Sequence, residues 1–238
     1  MSKRKKVQPC VYCGQNKLST DDHVIPRCLF AGILPKDIVL VPVCEACNRE
    51  KSKDDDFLRD WLVFDQRTSH HSIARQIFSG KFTRALKKGH SQLAKQAIKQ
   101  ATFQEVLSSG GIYLGHAFAM NLDEKRLLAI FTRIVRGLYY KIHRKRIPDS
   151  YIFDYRVIDP SQFNIVWEEL KRRNLNHVRK IGDVFSMVMI RATEDEFVTM
   201  WWLVFYDGIC IEVTTESSSM RWTSEIQKTD TSSPKLLP

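Results

Sequence analysis

Two pairs of cysteines near the start of the sequence have the spacing of a metal site. Each pair has two residues between its members and 30 residues separate the pairs, which are Cys10 with Cys13 and Cys44 with Cys47. A two-residue gap lets both thiolates of a pair face one ion, and four thiolates are the ligand set of a tetrahedral structural zinc. We therefore predict that these four cysteines bind zinc.

Between and just after the cysteines lie side chains that a purely structural zinc site would not require. Asp22 and His23 are adjacent, Asn48 follows Cys47 directly, and Lys51 lies three residues further on. Hydrolysis of a phosphodiester needs a base to activate water, a cation to stabilise negative charge, and donors for the phosphate. His23 can take a proton at neutral pH, and Asp22 and Asn48 offer oxygen atoms to a hard divalent ion. Lys51 shares a helix face with Asn48 and is predicted to bind the phosphate.

The order of these motifs resembles that of the zinc-containing HNH endonucleases, the ββα-metal finger family. The resemblance covers residues 10–56 and rests on Cys-x-x-Cys at Cys10, Asp-His-x-Ile-Pro at Asp22, Val-Pro-x-Cys-x-x-Cys-Asn at Val41 and Lys-Ser-x-Asp at Lys51. It implies that His23 is the general base, that Asp22 and Asn48 hold one catalytic Mg²⁺ or Mn²⁺, and that the four cysteines hold structural zinc. The implied activity is hydrolysis of DNA by a one-metal mechanism.

Two positions depart from the family pattern. The family usually has an asparagine that orients the general base near the start of the second strand, and this chain offers Asp37 there instead. An aspartate can still accept a hydrogen bond from the imidazole and raise its basicity. At the helix position where the family often has histidine, this chain has Asn48, a weaker ligand.

The charge of the chain favours a polyanionic partner. Of 238 residues, 37 are lysine or arginine and 27 are aspartate or glutamate, so the formal net charge is +10. This excess favours nucleic acid, which we take to be DNA, with RNA left open. Between residues 66 and 104 there is no acidic residue, which predicts a basic helical face along phosphates, although a solvated surface is the alternative. The residues predicted to contact nucleic acid are Arg27, Lys51, Arg75, Arg84, Lys87 and Lys88.

The remaining cysteines and the hydropathy predict a soluble, cytoplasmic protein with no membrane partner. Cys28 and Cys210 are far apart in sequence and are expected as free thiols of a reducing compartment. No apolar run approaches the roughly 18 residues of a membrane span, and the basic N-terminus has no apolar stretch behind it. The oligomeric state stays open, with a homodimer and membership of a defence complex as alternatives.

The predicted fold class is α+β, with a small metal-bound unit before a larger one. Its parts are a flexible basic arm over 1–9, a zinc-bound ββα-metal finger over 10–65, a basic helical region over 66–120, an α+β domain with an antiparallel β-meander over 121–215, and a mobile tail over 216–238.

Local patterns predict the individual elements. In the first half they predict strands at His23–Ile25 and Ile38–Val43, then a helix at Cys47–Phe64. A capping box at Asn121–Glu124 opens a long helix with apolar residues every three or four positions, and Pro148 is expected to end it. The predicted elements after it are a helix at Gln162–Arg173 and strands at Val184–Ile190, Phe197–Tyr206 and Ile209–Thr214, the last two joined by a turn at Asp207-Gly208.

Two functions of different classes follow from these observations. The first is a metal-dependent DNA endonuclease, with phage defence and restriction as compatible settings. The second is a catalytically silent, zinc-stabilised nucleic-acid-binding or adaptor protein that keeps the four-cysteine frame and has lost turnover through Asp37 and Asn48.

Overall fold

The N-terminal part of the chain is a three-stranded sheet followed directly by a helix. The computed structural model of the protein describes residues 6–89, 102–108, 110–119, 122–158 and 179–217, together with five separate positions between 162 and 172. We call residues 6–65 the cysteine module. Its elements are β1 (Lys6–Pro9), β2 (Asn16–His23), β3 (Leu40–Cys44) and α1 (Glu45–Phe64).

Strand β2 lies in the middle of this sheet and pairs antiparallel with β1 and β3. Residues 6–9 therefore belong to a strand, and the prediction of a flexible arm is wrong for them, because their backbone finds a partner in residues 16–19. The predicted strand at His23–Ile25 is also misplaced, since β2 ends at His23. Strand β2 has mostly polar residues because much of it is solvent-exposed, so a hydropathy pattern does not identify it.

The middle of the chain contains short helical turns and then a hairpin. The helical elements are a 3₁₀ turn at Gln66–Thr68, α2 (Ser72–Ile77), a π-helical turn at Phe78–Phe82 and α3 (Thr83–Lys87). The hairpin consists of β4 (Thr102–Leu107) and β5 (Tyr113–Ala119), which pair antiparallel. The prediction of a helical region up to residue 120 is therefore wrong for these two strands, and residues 90–101, 109 and 120 of that region lie outside the described residues.

The long helix α4 spans Glu124–His143, close to its predicted position. Asp123 caps it, because its side chain accepts a hydrogen bond from the Arg126 N–H at 3.0 Å. The sequence predicted that Pro148 would end the helix, and this is wrong. The helix ends at His143, and the chain turns at Arg144, which has a left-handed φ of 57°. The buried stripe of α4 contains the predicted Leu127, Phe131, Ile134 and Leu138.

The C-terminal part is one antiparallel sheet of five strands in the order β6-β10-β9-β8-β7. The strands are β6 (Tyr151–Ile158), β7 (Arg179–Ile181), β8 (Phe185–Arg191), β9 (Thr199–Phe205) and β10 (Ile209–Ser217). The three predicted strands correspond to β8, β9 and β10, whereas β6 and β7 were not predicted. Residues 216–217 continue β10, so the predicted mobile tail is wrong for them, and residues 218–238 lie outside the described residues. Most of the predicted helix at Gln162–Arg173 also lies outside them.

The β9–β10 turn differs by one residue from the predicted one. Its central residues are Tyr206 and Asp207, both with a φ of 52°, and the Gly208 N–H donates to the Phe205 carbonyl at 3.1 Å. Glycine is needed at 208 because a Cβ there would lie 2.1 Å from the carbonyl oxygen of Arg67. The turn therefore anchors the sheet against the segment that follows α1.

The cysteine module, α4 and the C-terminal sheet share one continuous cluster of buried apolar side chains. Val24 and Leu58 of the module, Phe131 of α4, and Trp201 and Ile211 of the sheet all belong to it. The aromatic residues of β9 therefore pack in the core instead of forming a surface for stacking bases. The protein is a mixed α and β fold with antiparallel sheets, as the sequence predicts at this level. None of its described helices combines the length and apolar character of a membrane span.

Helix α4 lies so close to the module that only glycine fits at their contact. A Cβ at Gly137 would lie 2.6 and 2.8 Å from the two γ-methyl carbons of Val24. We expect Gly137→Ala to lower the free energy of unfolding by about 1–2 kcal/mol, because overpacking outweighs the roughly 1 kcal/mol that alanine gains in helix propensity. Denaturant unfolding measures the change. Gly80→Ala is the control, since its Cβ would meet only Arg84 at 4.0 Å, and equal effects of the two substitutions would contradict the expected close contact.

Candidate metal centre and active site

The four predicted zinc ligands come together at one end of the module. Cys10 and Cys13 lie in the turn between β1 and β2, Cys44 ends β3, and Cys47 lies in the first turn of α1. Their Sγ atoms all lie within 4.8 Å of one another, and no other such group of histidine, cysteine or acidic residues is found among the described residues. Four thiols at this separation fit a tetrahedral zinc ion, so the structure supports a metal centre here.

The four thiols also interact with the local backbone and with one another. The Cys44 N–H points at Cys10 Sγ at 3.4 Å. Burial acts to raise the pKa of Cys44, but hydrogen bonds from Cys47 and from the other thiols lower it to about 7. Burial, the hydrogen bond with Cys44 and the charge of Cys10 raise the pKa of Cys47. Neighbouring thiolates repel one another, and a divalent cation bound between them would offset that repulsion.

Asp22 is a buried carboxylate on β2, only 6% exposed. Its Oδ2 accepts a hydrogen bond of 2.7 Å from the hydroxyl of Tyr12, which lies between Cys10 and Cys13 in sequence. Burial, and then the charge of Asp22, raise the pKa of Tyr12 well above its ordinary value of 10, so the phenol stays protonated and is the donor. The other oxygen, Oδ1, is 3.6 Å from the ammonium of Lys51. One oxygen of Asp22 is thus hydrogen-bonded to Tyr12, and the other faces the Lys51 ammonium.

Lys51 is buried and lies between two carboxylates. Its Nζ is 2.9 Å from Asp55 Oδ2 and 3.6 Å from Asp22 Oδ1, and its side chain is 5% exposed. The sequence predicted that Lys51 binds phosphate. In the structure it is instead the counter-ion of these carboxylates, which leaves its phosphate contact a prediction.

Asn48 approaches the same face of β2 as Lys51. Its amide Nδ2 lies 3.4 Å from Thr20 Oγ1. Thr20 and Asp22 are two residues apart in a strand, so their side chains share a face, and α1 covers that face with Asn48 and Lys51. A carboxylate oxygen of Asp22 and the amide oxygen of Asn48 are suitable ligands for Mg²⁺ or Mn²⁺. By chemical type these donors suit a divalent ion, and the Lys51 ammonium at 3.6 Å from Asp22 would compete with it.

His23 ends β2 and projects to the opposite face from Asp22. The imidazole is half-buried, and burial followed by the charge of Arg27 lowers its pKa below 6.5. A neutral imidazole at pH 7 can accept a proton. Asp37, predicted to orient this ring, is exposed, and no hydrogen bond joins it to His23 in the described part of the chain.

The predicted nucleic-acid contacts other than Lys51 are solvent-exposed, and they are Arg27, Arg75, Arg84, Lys87 and Lys88. The basic residues of α4 are placed differently. Arg126 and Arg133 both pair with Asp54 of α1. Arg136 donates to the carbonyl of Tyr12 at 2.8 Å. These arginines hold the cysteine module against α4, so their charges are not free for phosphate.

Sequence reasoning missed the roles of Tyr12 and Asp55. The run Asp54-Asp55-Asp56 has the sequence pattern of a solvated helix face, but Asp55 is the hydrogen-bonded partner of Lys51. The four-residue spacing between Lys51 and Asp55 on a helix was the signal that could have found this pair. For Tyr12 the sequence gives no comparable signal, because Tyr12 lies in a turn and its partner is ten residues away on β2.

Asp55 is expected to make stability depend on pH. Burial, only partly offset by Lys51, raises its pKa from 3.8 to about 6. Between about pH 4 and pH 6 the folded protein holds a proton at Asp55 that the unfolded chain releases, so the contribution of Asp55 to the free energy of unfolding falls as pH rises. In Asp55→Asn the side chain at this position is neutral at every pH, so this decrease in the free energy of unfolding should disappear. Thermal unfolding of both proteins across this range tests the prediction, and parallel curves would contradict it.

Comparisons of the chain with protein-family models, with curated proteins and with solved structures gave no match.

Proposed function

We propose that the protein is a metal-dependent endonuclease that hydrolyses phosphodiester bonds in DNA, built on a zinc-bound ββα-metal finger. The proposed general base is His23. The proposed ligands of a catalytic Mg²⁺ or Mn²⁺ are Asp22 and Asn48, and the four cysteines hold a structural zinc.

One observation carries this proposal. Strand β2 presents Asp22 to α1 on one face and the half-buried imidazole of His23 on the other, and the cysteine cluster joins the turn before β2 to the start of α1. A zinc-binding module needs no carboxylate, carboxamide and imidazole at these positions for its stability. Adjacent positions of one strand, together with the helix packed on it, thus supply a candidate base and candidate ligands for a hard cation.

The residues divide the work of hydrolysis between them. A divalent ion at this site would stabilise the negative charge that develops on the scissile phosphate and the leaving oxygen. Asp22 and Asn48 would hold that ion, and the Tyr12 hydrogen bond fixes Asp22. His23 would take the proton from the attacking water. Arg27 lies near enough to lower the His23 pKa, and it is exposed where a phosphate could reach it.

The proposed substrate follows from charge. The chain carries a net charge of +10, and the basic residues of α2 and α3 are exposed. Cations of this kind bind phosphates without regard to sequence. DNA is the substrate implied by the resemblance of residues 10–56, and RNA is the competing polymer.

The activity is tested with the zinc-loaded full chain. Supercoiled plasmid DNA and a single-stranded RNA are incubated with the protein in Mg²⁺, in Mn²⁺, and in neither. The proposal predicts nicking of DNA that requires the divalent ion. Cleavage of RNA but not DNA would contradict DNA as the substrate and favour RNA. No cleavage of either polymer would contradict the proposed activity.

A second candidate is a zinc-stabilised nucleic-acid-binding protein without turnover. It is favoured by the Lys51 ammonium at 3.6 Å from Asp22, where it competes with a divalent ion, and by the exposed position of Asp37. This candidate predicts DNA binding that weakens steeply with salt and no cleavage in any divalent ion. Filter binding between low and high salt, run beside the nicking assay, separates it from the endonuclease.

A further inference from the structure

Tyr12 connects the cysteine cluster to the carboxylate of Asp22. It lies between Cys10 and Cys13 in sequence, its ring is buried, and its hydroxyl donates to Asp22 Oδ2 at 2.7 Å. The position of the hydroxyl therefore depends on the turn that carries two of the four thiols. Among the contacts of the described residues, none joins a cysteine of the cluster directly to Asp22. The hydrogen bond from Tyr12 therefore links the turn to this carboxylate.

The backbone of Tyr12 is fixed from the other side by two arginines. Its carbonyl oxygen accepts a hydrogen bond from Arg136 of α4 at 2.8 Å and one from Arg146 at 3.1 Å. Arg146 also donates to the carbonyl of Val11 at 3.2 Å. The turn is thus held by α4 and by the segment after it, and Tyr12 cannot move without breaking these bonds.

This arrangement decides which oxygen of Asp22 is available. Oδ2 is occupied by the phenol, and Oδ1 faces Lys51 at 3.6 Å, beyond the distance of a good hydrogen bond. Without the phenol, Oδ2 would be a buried acceptor with no donor, and the carboxylate would be free to rotate into a closer pair with Lys51. That closer pair would occupy the oxygen that a divalent ion needs.

We propose that Tyr12 is a positioning residue that holds Asp22 for a divalent cation and limits its pairing with Lys51. This inference rests on the proposed function, because it assumes that Asp22 is a ligand of that cation. A tyrosine that only fills the core would affect stability and leave cation binding unchanged, so the two roles have different consequences.

The test measures Mn²⁺ binding by electron paramagnetic resonance in the zinc-loaded full chain. We expect Tyr12→Phe to weaken Mn²⁺ binding about 10-fold, the size typical of losing a partner of a metal ligand, with the zinc content unchanged. In the cleavage assay the Mn²⁺ concentration for half-maximal rate should rise similarly, while the rate at saturating Mn²⁺ changes less. Tyr139→Phe is the matched control, because it removes another buried hydroxyl, bonded to the Glu196 carbonyl at 3.0 Å.

Each outcome distinguishes the inference from the proposed function. Unchanged Mn²⁺ affinity in Tyr12→Phe, or equal weakening in Tyr139→Phe, would overturn the role of Tyr12 and leave the nuclease proposal standing. Asp22→Asn locates the ion and should abolish the same binding. Mn²⁺ binding that persists in Asp22→Asn, or is absent from the wild type, would overturn the cation site and the role of Tyr12 with it.

Discussion

His23→Ala is expected to lower the rate of plasmid nicking by about 10²- to 10⁴-fold, the usual contribution of a general base. His23 follows Asp22 directly at the end of β2, and its lowered pKa leaves the imidazole neutral at pH 7. The substitution removes a half-buried side chain outside the main cluster of buried apolar residues, so zinc content and thermal unfolding should change little. Nicking is measured under single-turnover conditions with saturating Mg²⁺ or Mn²⁺.

His116→Ala is the control for this result. His116 is an exposed histidine on β5, where its Nδ1 lies 2.7 Å from the hydroxyl of Tyr113. Its removal should leave the cleavage rate near that of the wild type. Equal cleavage by His23→Ala and wild type would show that another group activates the water, and the proposed mechanism would fail.

Cys47→Ser is expected to have the largest effect on stability. The substitution removes one of four thiolates, and a structural zinc site contributes directly to the free energy of folding of its module. We expect the zinc content to fall and the free energy of unfolding to drop by about 4 kcal/mol or more, the range seen when a metal site is lost. The module shares its buried apolar cluster with α4 and the C-terminal sheet, so the loss should lower the stability of the whole fold.

Cys28→Ser is the matched substitution for Cys47→Ser. Cys28 lies outside the cluster of four thiols, and its thiol donates to the Asp55 carbonyl at 3.3 Å, a bond that a serine hydroxyl can also make. Zinc content measured by atomic emission, together with thermal unfolding, compares the two variants. Full zinc content and unchanged stability in Cys47→Ser would contradict the metal centre.

The clustering of the four cysteines was predictable from the sequence because each half of the candidate metal centre is local. A two-residue gap brings two thiols together whatever the rest of the fold does, and the repeated spacing then implies a second pair. The helix α4 was predictable for a similar reason, since apolar residues at every third or fourth position require a helix to face one core. Its end was not, since the chain turns at Arg144, with a φ of 57°, four residues before the proline that was expected to end the helix.

The elements that were missed depend on contacts between distant residues. Strand β6 alternates weakly, and it becomes a strand because residues 151–158 pair with residues 210–217 of β10. Strand β1 has only four residues, and its partners in β2 lie 7 to 13 residues further along the chain. Such pairing cannot be seen in a local window, since strand formation depends on neighbours more than on intrinsic preference.

In the candidate site, too, the sequence predicted what depends on local order and missed the contacts between separate elements. The sequence indicated His23, Asp22 and Asn48 by their order within the cysteine frame. It could not show that Asp22 is buried against Tyr12, or that Lys51 turns inward to Asp22 and Asp55. These contacts join a turn, a strand and a helix. They place the Lys51 ammonium where it would compete with a divalent ion for Asp22, which its predicted contact with phosphate did not anticipate.

The most direct test of the account is a crystal structure of the zinc-loaded protein with Mn²⁺, with anomalous scattering used to locate the manganese. The account predicts one manganese peak at coordination distance from a carboxylate oxygen of Asp22 and the amide oxygen of Asn48, with Lys51 displaced toward Asp55. It would be contradicted by a crystal in which no manganese binds there and the Lys51 ammonium remains beside Asp22.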